Sequence, residues 1–369
     1  IFYNFTNKIH KMQKILFCIL LLNSIILYSQ VRSYTNEFLY LGVDARSMAM
    51  SNAVVSSTYN VNAGYWNPAL LVFTPSYPQF SLMHAEYFAG IANYNSFAIS
   101  FHQKDSIAFG FTYLRFAVDD IPNTTQLIDN NGQVHYDKIT SFTAADNAFL
   151  LSIGKKINHK MQIGGTVKII RRVIGDFAGA WGFGLDIGAS YMSDRWRAGI
   201  VLRDITSTPT FWSFSLNDAM KEVFTLTGNE IPKNSLELGI PRLATGISYI
   251  HPLLNNFSLQ PELALIFTFD GQRNTLINNK IFSIDPSLGL EIAFKQMIFL
   301  RAGIGNFQQE TFPNGKKWTM QPNIGIGIAI KNILQLDYAY TDIGDNSIAL
   351  YSNVISLIYH IKKHSQSSL

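Results

Sequence analysis

Nine charged residues stand at positions that strand alternation would turn to one side of a wall: Lys168, Asp186, Arg197, Arg203, Glu262, Asp285, Glu291, Arg301 and Asp337. Mixed signs do not make a one-sign selectivity ring; they suit ion pairs that brace an interior, with an aqueous channel lining as the alternative. Other chemistry is sparse. The histidines His84, His102, His135, His159, His251, His360 and His364 are scattered without metal-ligand spacing. Asp119 and Asp120, with His135, come nearest to the acid–base cluster of a membrane-embedded hydrolase, but paired acids are common on solvated loops. Gly182-Phe183-Gly184 and Gly325-Ile326-Gly327 resemble phosphate loops only superficially, because neither opens a helix. They read as strand glycines that thin a wall where something approaches closely. The residues therefore predict no catalytic, metal or cofactor site, and a protein that is not an enzyme.

What positions the charges is a period-two pattern. Phe257, Leu259, Pro261, Leu263, Leu265, Phe267 and Phe269 share one face, while Ser258, Gln260, Glu262, Ala264 and Thr268 share the other. Residues 282–294 and 181–191 repeat the arrangement, with Gly, Ser, Ala and single charges on the second face. A soluble sheet would set Lys, Glu and Thr against water; small residues suit a confined interior. Segments of about ten residues match a tilted strand crossing a bilayer. Fourteen segments are predicted: 80–89, 93–102, 106–117, 145–156, 160–173, 180–191, 195–204, 243–251, 257–269, 281–294, 297–307, 320–331, 333–341 and 346–360. They give an all-β fold, a fourteen-stranded antiparallel transmembrane barrel, with short turns at one end and long loops (118–144, 205–242, 270–280, 308–319) at the other.

Composition agrees. Of 369 residues only 15% are charged and 13% are aromatic, with a mean hydropathy of +0.10. That charge is low for a soluble domain, where roughly 25% is usual, and the hydropathy is too low for a helical membrane bundle. Residues 1–29 read as an export signal: Lys8, Lys11 and Lys14 precede the apolar run 15–28, which is too short for a spanning helix. Cys18 lies too close to Lys14 to be a lipidation site. Without the signal, 26 basic residues face 25 acidic ones, so the charge is no argument for nucleic-acid binding. Expected organisation is a signal at 1–29, a hatch at 30–78, the barrel at 79–361 and a polar tail at 362–369.

Residues 35–78 do not alternate. They are rich in small and aromatic residues, and folding into the lumen would satisfy their backbone and hide their apolar surface; a periplasmic tether is the alternative. Asp44 and Arg46 are the natural partners of the lumenal charges. The run ending Ser51-Asn52-Ala53, followed by Asn67-Pro68-Ala69, resembles the hatch of FadL-like outer-membrane proteins. Phe38 to Arg46, with Ala49 to Ala53, resembles the PorV/PorQ branch, which serves type IX secretion. That resemblance implies an outer-membrane accessory protein that binds or hands over secreted cargo beside a larger translocon or attachment complex. The alternative it leaves open is a transporter of hydrophobic small molecules, with Pro286 or Pro322 kinking a strand to make a lateral route. The apolar stretch Phe211, Trp212 and Phe214 in the longest predicted loop marks a partner-docking patch. Expected partners are outer-membrane lipid, a secretion-system membrane protein or cargo, and a hydrophobic ligand.

Overall fold

The computed structural model describes residues 35–361 except 89, 128–131, 254–255, 313–314, 332, 342 and 344–351. The expected signal (1–29) and tail (362–369) lie outside the described residues. Alternation over long segments gives the strands β1 Gln79–Tyr87, β2 Ala92–Lys104, β3 Ile107–Asn123, β4 Thr140–Lys156, β5 Met161–Ile174, β6 Ala178–Ser193 and β7 Trp196–Arg203. There follow β8 Pro209–Phe214, β9 Ser235–Leu238, β10 Arg242–Tyr249, β11 His251–Pro252, β12 Phe257–Thr268 and β13 Ile277–Asn278. The last are β14 Ser283–Phe294, β15 Ile298–Phe312, β16 Gly315–Ile330, β17 Leu334–Thr341 and β18 Ser352–His360. Some are pieces of one stave: β7 and β8 both pair with β6, and β9 to β11 form the next stave, while the short β13 pairs with the start of β14 on the side away from β12. Fourteen antiparallel staves result, and β1 pairs with β18 from Gln79↔His360 to Glu86↔Asn353, closing the barrel.

Closure leaves each stave with a neighbour on both sides and each strand with two unlike faces. On β6, Ala178, Ala180, Gly182, Gly184, Asp186, Gly188 and Ser190 point inward and are buried. Trp181, Phe183, Leu185, Ile187 and Tyr191 point outward and are 42–59% exposed. The same outward band of large apolar side chains recurs on β5, β7, β16 and β18. Apolar surface on that scale belongs against hydrocarbon. The chain is an outer-membrane β-barrel.

Residues 36–74 lie inside it. A 3₁₀ turn (Glu37–Tyr40), helix α1 (Ala45–Ala49), helix α2 (Ala63–Trp66) and a second 3₁₀ turn (Pro68–Phe73) fold into the lumen, and Val43, Ala49, Met50, Val54, Ala63, Leu70 and Leu71 are fully buried. So small a space for so much chain requires the wall to be thin where the two meet. Gly154, Gly164 and Gly188 underlie Pro68 and its neighbours, Gly199 and Gly246 underlie Val55, and Gly289 and Gly303 underlie Met50. A β-carbon at Gly325 would fall 2.5 Å from that of Ala49, and one at Gly154 would fall 2.6 Å from the Pro68 carbonyl oxygen. Gly182 and Gly184 are approached instead by Thr210 and Thr208, from the break between β7 and β8.

Three predicted loops are shorter than expected. β3 and β4 reach Asn123 and Thr140, and β15 and β16 run on to Phe312 and Gly315. The stretch 209–214 is strand β8 rather than loop: it pairs with β6 from Ala178↔Phe214 to Gly182↔Thr210. Its Phe-Trp-Ser-Phe alternation continues the stave after a break at 204–208, where Asp204, Ser207 and Thr208 take positive φ.

Candidate functional site

Two charge clusters tie the inner segment to the wall. In the first, Arg46 on α1 donates from Nε to Glu291 on β14 (2.9 Å) and from a terminal nitrogen to Ser57 (3.3 Å). Glu291 also accepts from Arg301 on β15 (2.6 Å), whose other arm reaches Asp337 on β17 (2.6 Å). Burial opposes charge on Arg46, but Glu291 more than offsets it and holds the guanidinium above its usual value. Asp44, expected in this network, caps α1 instead: its carboxylate accepts from the Ser47 backbone N–H (2.7 Å) and from the Trp66 indole (3.4 Å). Burial pushes its carboxyl up from the ordinary value.

The second cluster centres on Lys168 of β5, which bonds Asp186 of β6 at 2.7 Å and also Asp204. Asp204 accepts from Tyr40 of the inner segment and from Thr208, and its own N–H donates to Asp186 (2.8 Å). Arg203 joins neither cluster; its guanidinium packs over the rings of Tyr65 (5.1 Å), Trp66 (5.5 Å) and Tyr40 (5.8 Å). Glu262 accepts from the Ser56 N–H (2.7 Å), and Arg197 donates to the Asp194 and Trp196 carbonyls at a turn.

The other residues singled out in the inner segment act on its backbone. The Asn67 side chain accepts from the Ala69 N–H (3.2 Å) and donates to the carbonyls of Val55 (3.1 Å) and Ala189 (3.2 Å), so it links the segment to β6. Pro68 starts the second 3₁₀ turn. Asn52, at a φ of 62°, donates to the Leu41 carbonyl.

Above the segment, at the long-loop end, lies a cavity of about 560 Å³. Tyr40, Leu41, Met48, Tyr87 and Ile266 give it an apolar side. The opposite side is polar: Asn306 donates to Gln321 (2.7 Å) and accepts from Gln308 (2.6 Å). Its two guanidiniums are occupied. Arg242 pairs with Glu37, and Arg273 pairs with Asp270 (2.5 Å) and with Glu37 (3.6 Å). Here β14 and β15 part, and the segment before β14 fills the place between them: β13 pairs with Ser283 and Ile284, and Asn274 bonds the backbone of Gln309. The β14–β15 ladder ends at Leu288↔Ile304; two steps further in that register stand Pro286, which has no N–H, and Asn306, whose φ is 49°. Neither proline breaks its other neighbour ladder: Pro286 pairs with Leu265 and Pro322 with Ile304.

Of the expected docking residues, Phe211 faces outward, Phe214 is half-buried, and Trp212 points inward with Arg172 at 5.0 Å from its ring. They form no common patch, because alternate strand residues face opposite ways. Sequence reasoning missed Tyr40, Glu37, Asp204, Arg242, Asp270 and Arg273. Arg242 was within reach, since one more residue of strand at the start of 243–251 would have included it. Among the described residues no group of His, Cys, Asp and Glu could hold a metal ion.

No family model matches the chain, and no curated protein does. Solved structures do. The monoaromatic hydrocarbon channel CymD aligns with a TM-score of 0.52 at 13% identity, covering 88% of this chain and 99% of its own. A deltaS2 mutant of the TodX monoaromatic hydrocarbon channel gives 0.52 at 13%, covering 87% and 99%. A Pseudomonas aeruginosa FadL homologue gives 0.49 at 12%, covering 87% and 98%. The chain shares its fold with the two channels that align at 0.52.

Proposed function

We propose that the protein is an outer-membrane transporter of small molecules with a substantial apolar part, and that residues 36–74 form the hatch it must displace or bypass. The observation that carries this reading is the cavity of about 560 Å³ above the inner segment. That volume is in the range of ligand-sized sites, and it adjoins the place where the β14–β15 ladder gives way to the short β13. The fold neighbours are named as monoaromatic hydrocarbon channels, which supports an apolar cargo. The Arg46–Glu291–Arg301–Asp337 chain would hold the hatch shut by pairing charges that are costly to bury alone. Uptake of a radiolabelled alkylbenzene by cells with and without the protein tests the reading. Expression should raise uptake several-fold, and Ser287→Trp, which fills the cavity, should abolish the gain. Equal uptake in both cells would refute transport.

A second reading is an accessory protein of type IX secretion. Its support is the likeness of residues 38–53 to the PorV/PorQ branch, together with the exposed apolar side chains Leu226, Leu236 and Leu238 around the loop between β8 and β10. Stoichiometric recovery of a larger outer-membrane protein or of secreted cargo would favour it.

A further inference from the structure

The cavity at the long-loop end holds one carboxylate that makes no ion pair among the described residues, although Arg273 stands near enough to act on its charge. Asp285 stands on β14 beside Pro286, where the ladder to β15 has ended. One of its carboxylate oxygens is buried with no hydrogen-bond partner, and it makes no ion pair, among the described residues. The hydroxyl of Thr268 and the side-chain oxygen of Asn52, on the same lining, are also buried without a partner. The Asn52 amide is oriented by its donation to Leu41, so the unpartnered atom is the acceptor. Buried acceptors without donors are costly. Two of these three groups can only accept, and the third can do so.

The charges around them narrow the donor. A carboxylate ligand would find both guanidiniums occupied, Arg242 by Glu37 and Arg273 by Asp270 and Glu37, and would be repelled by Asp285. An ammonium would be drawn to Asp285 but would have to share that carboxylate with Arg273, whose positive charge already acts on it from the same lining. A neutral hydroxyl meets neither objection. We infer that the cavity holds a neutral hydroxylated molecule, an alcohol or phenol, whose hydroxyl donates to Asp285 while its apolar body lies along Leu41, Met48, Tyr87 and Ile266. This rests on the reading of the cavity as the transport site, and it differs from an unsubstituted hydrocarbon cargo.

The test uses the full chain in lipid nanodiscs and four probes that differ only in the head: 4-butylphenol, butylbenzene, 4-butylbenzoate and 4-butylbenzylamine. Titration calorimetry should show the phenol binding at least about tenfold more tightly than the others, the factor expected for a hydrogen bond to a buried charge. Asp285→Leu should erase that preference. Thr268→Val should reduce it by a smaller factor, and heat-modifiable migration would show that each barrel is folded. Equal binding of phenol and butylbenzene, or a preference that survives Asp285→Leu, would overturn the inference and leave transport standing. Tightest binding of the benzoate or the benzylamine would overturn it in favour of a charged head. Binding of none of the four would sink the transport reading as well.

Discussion

The two ends of the lumen are filled by opposite means. Toward the short turns, the inner segment meets the wall backbone to backbone: glycines on eight staves leave room for Pro68, Val55, Met50 and Ala49, and each buried charge of the Arg46 chain has an oppositely charged partner. Toward the long loops, a polar side whose groups bond to one another and an apolar side enclose a cavity, with one carboxylate oxygen of Asp285 left without a hydrogen-bond partner. Close packing fixes one arrangement and tolerates little change in volume. A cavity whose walls satisfy each other can admit a guest without being rebuilt. The difference separates a seal from a vestibule, and substitutions in the two regions should fail in different ways.

The largest effect should come from adding volume at the seal. Gly303→Val puts a branched side chain into the Met50 backbone, so the segment must leave its place; planar-bilayer recordings should show conductance at least about tenfold above the wild type. Arg301→Met comes next, since it strands Asp337 and leaves Glu291 with Arg46 alone. Removing one partner of a buried ion pair costs about 3–5 kcal/mol, and thermal unfolding should show that loss. Arg46→Ala should cost less, because Glu291 keeps Arg301, and should raise conductance a few-fold with little change in the barrel's unfolding. Smallest is the vestibule: Gln321→Ala removes one hydrogen bond and should change stability by about 1 kcal/mol or less, with no conductance change. A vestibule variant that opened the pore as widely as Gly303→Val would erase the distinction.

How far this could be read in advance follows from where the constraint is local. Lipid on one side and a crowded lumen on the other impose alternation on every stave, so residues 257–269 and 281–294 announced themselves. The glycines of 182–184 and 325–327 marked close approach, though of the four only Gly325 meets the inner segment. The break at 204–208 hid β8, because positive φ at Asp204 and Thr208 interrupts the period and the next six residues then looked like an apolar loop. Asp44 was misread as an ion-pair partner because its sequence position does not distinguish a helix cap from a salt bridge. The vestibule was illegible: Tyr40, Tyr87, Arg242, Asn274, Asp285 and Asn306 converge from separate staves and loops, and no local pattern joins them.

The most direct measurement is mass spectrometry of the protein purified in mild detergent from its own outer membrane, scanning bound small molecules and co-purifying proteins together. A largely apolar small molecule present at close to one per barrel, and displaced from Ser287→Trp, is the predicted result. An empty barrel bound in equal amount to a larger membrane protein or to secreted cargo would contradict transport.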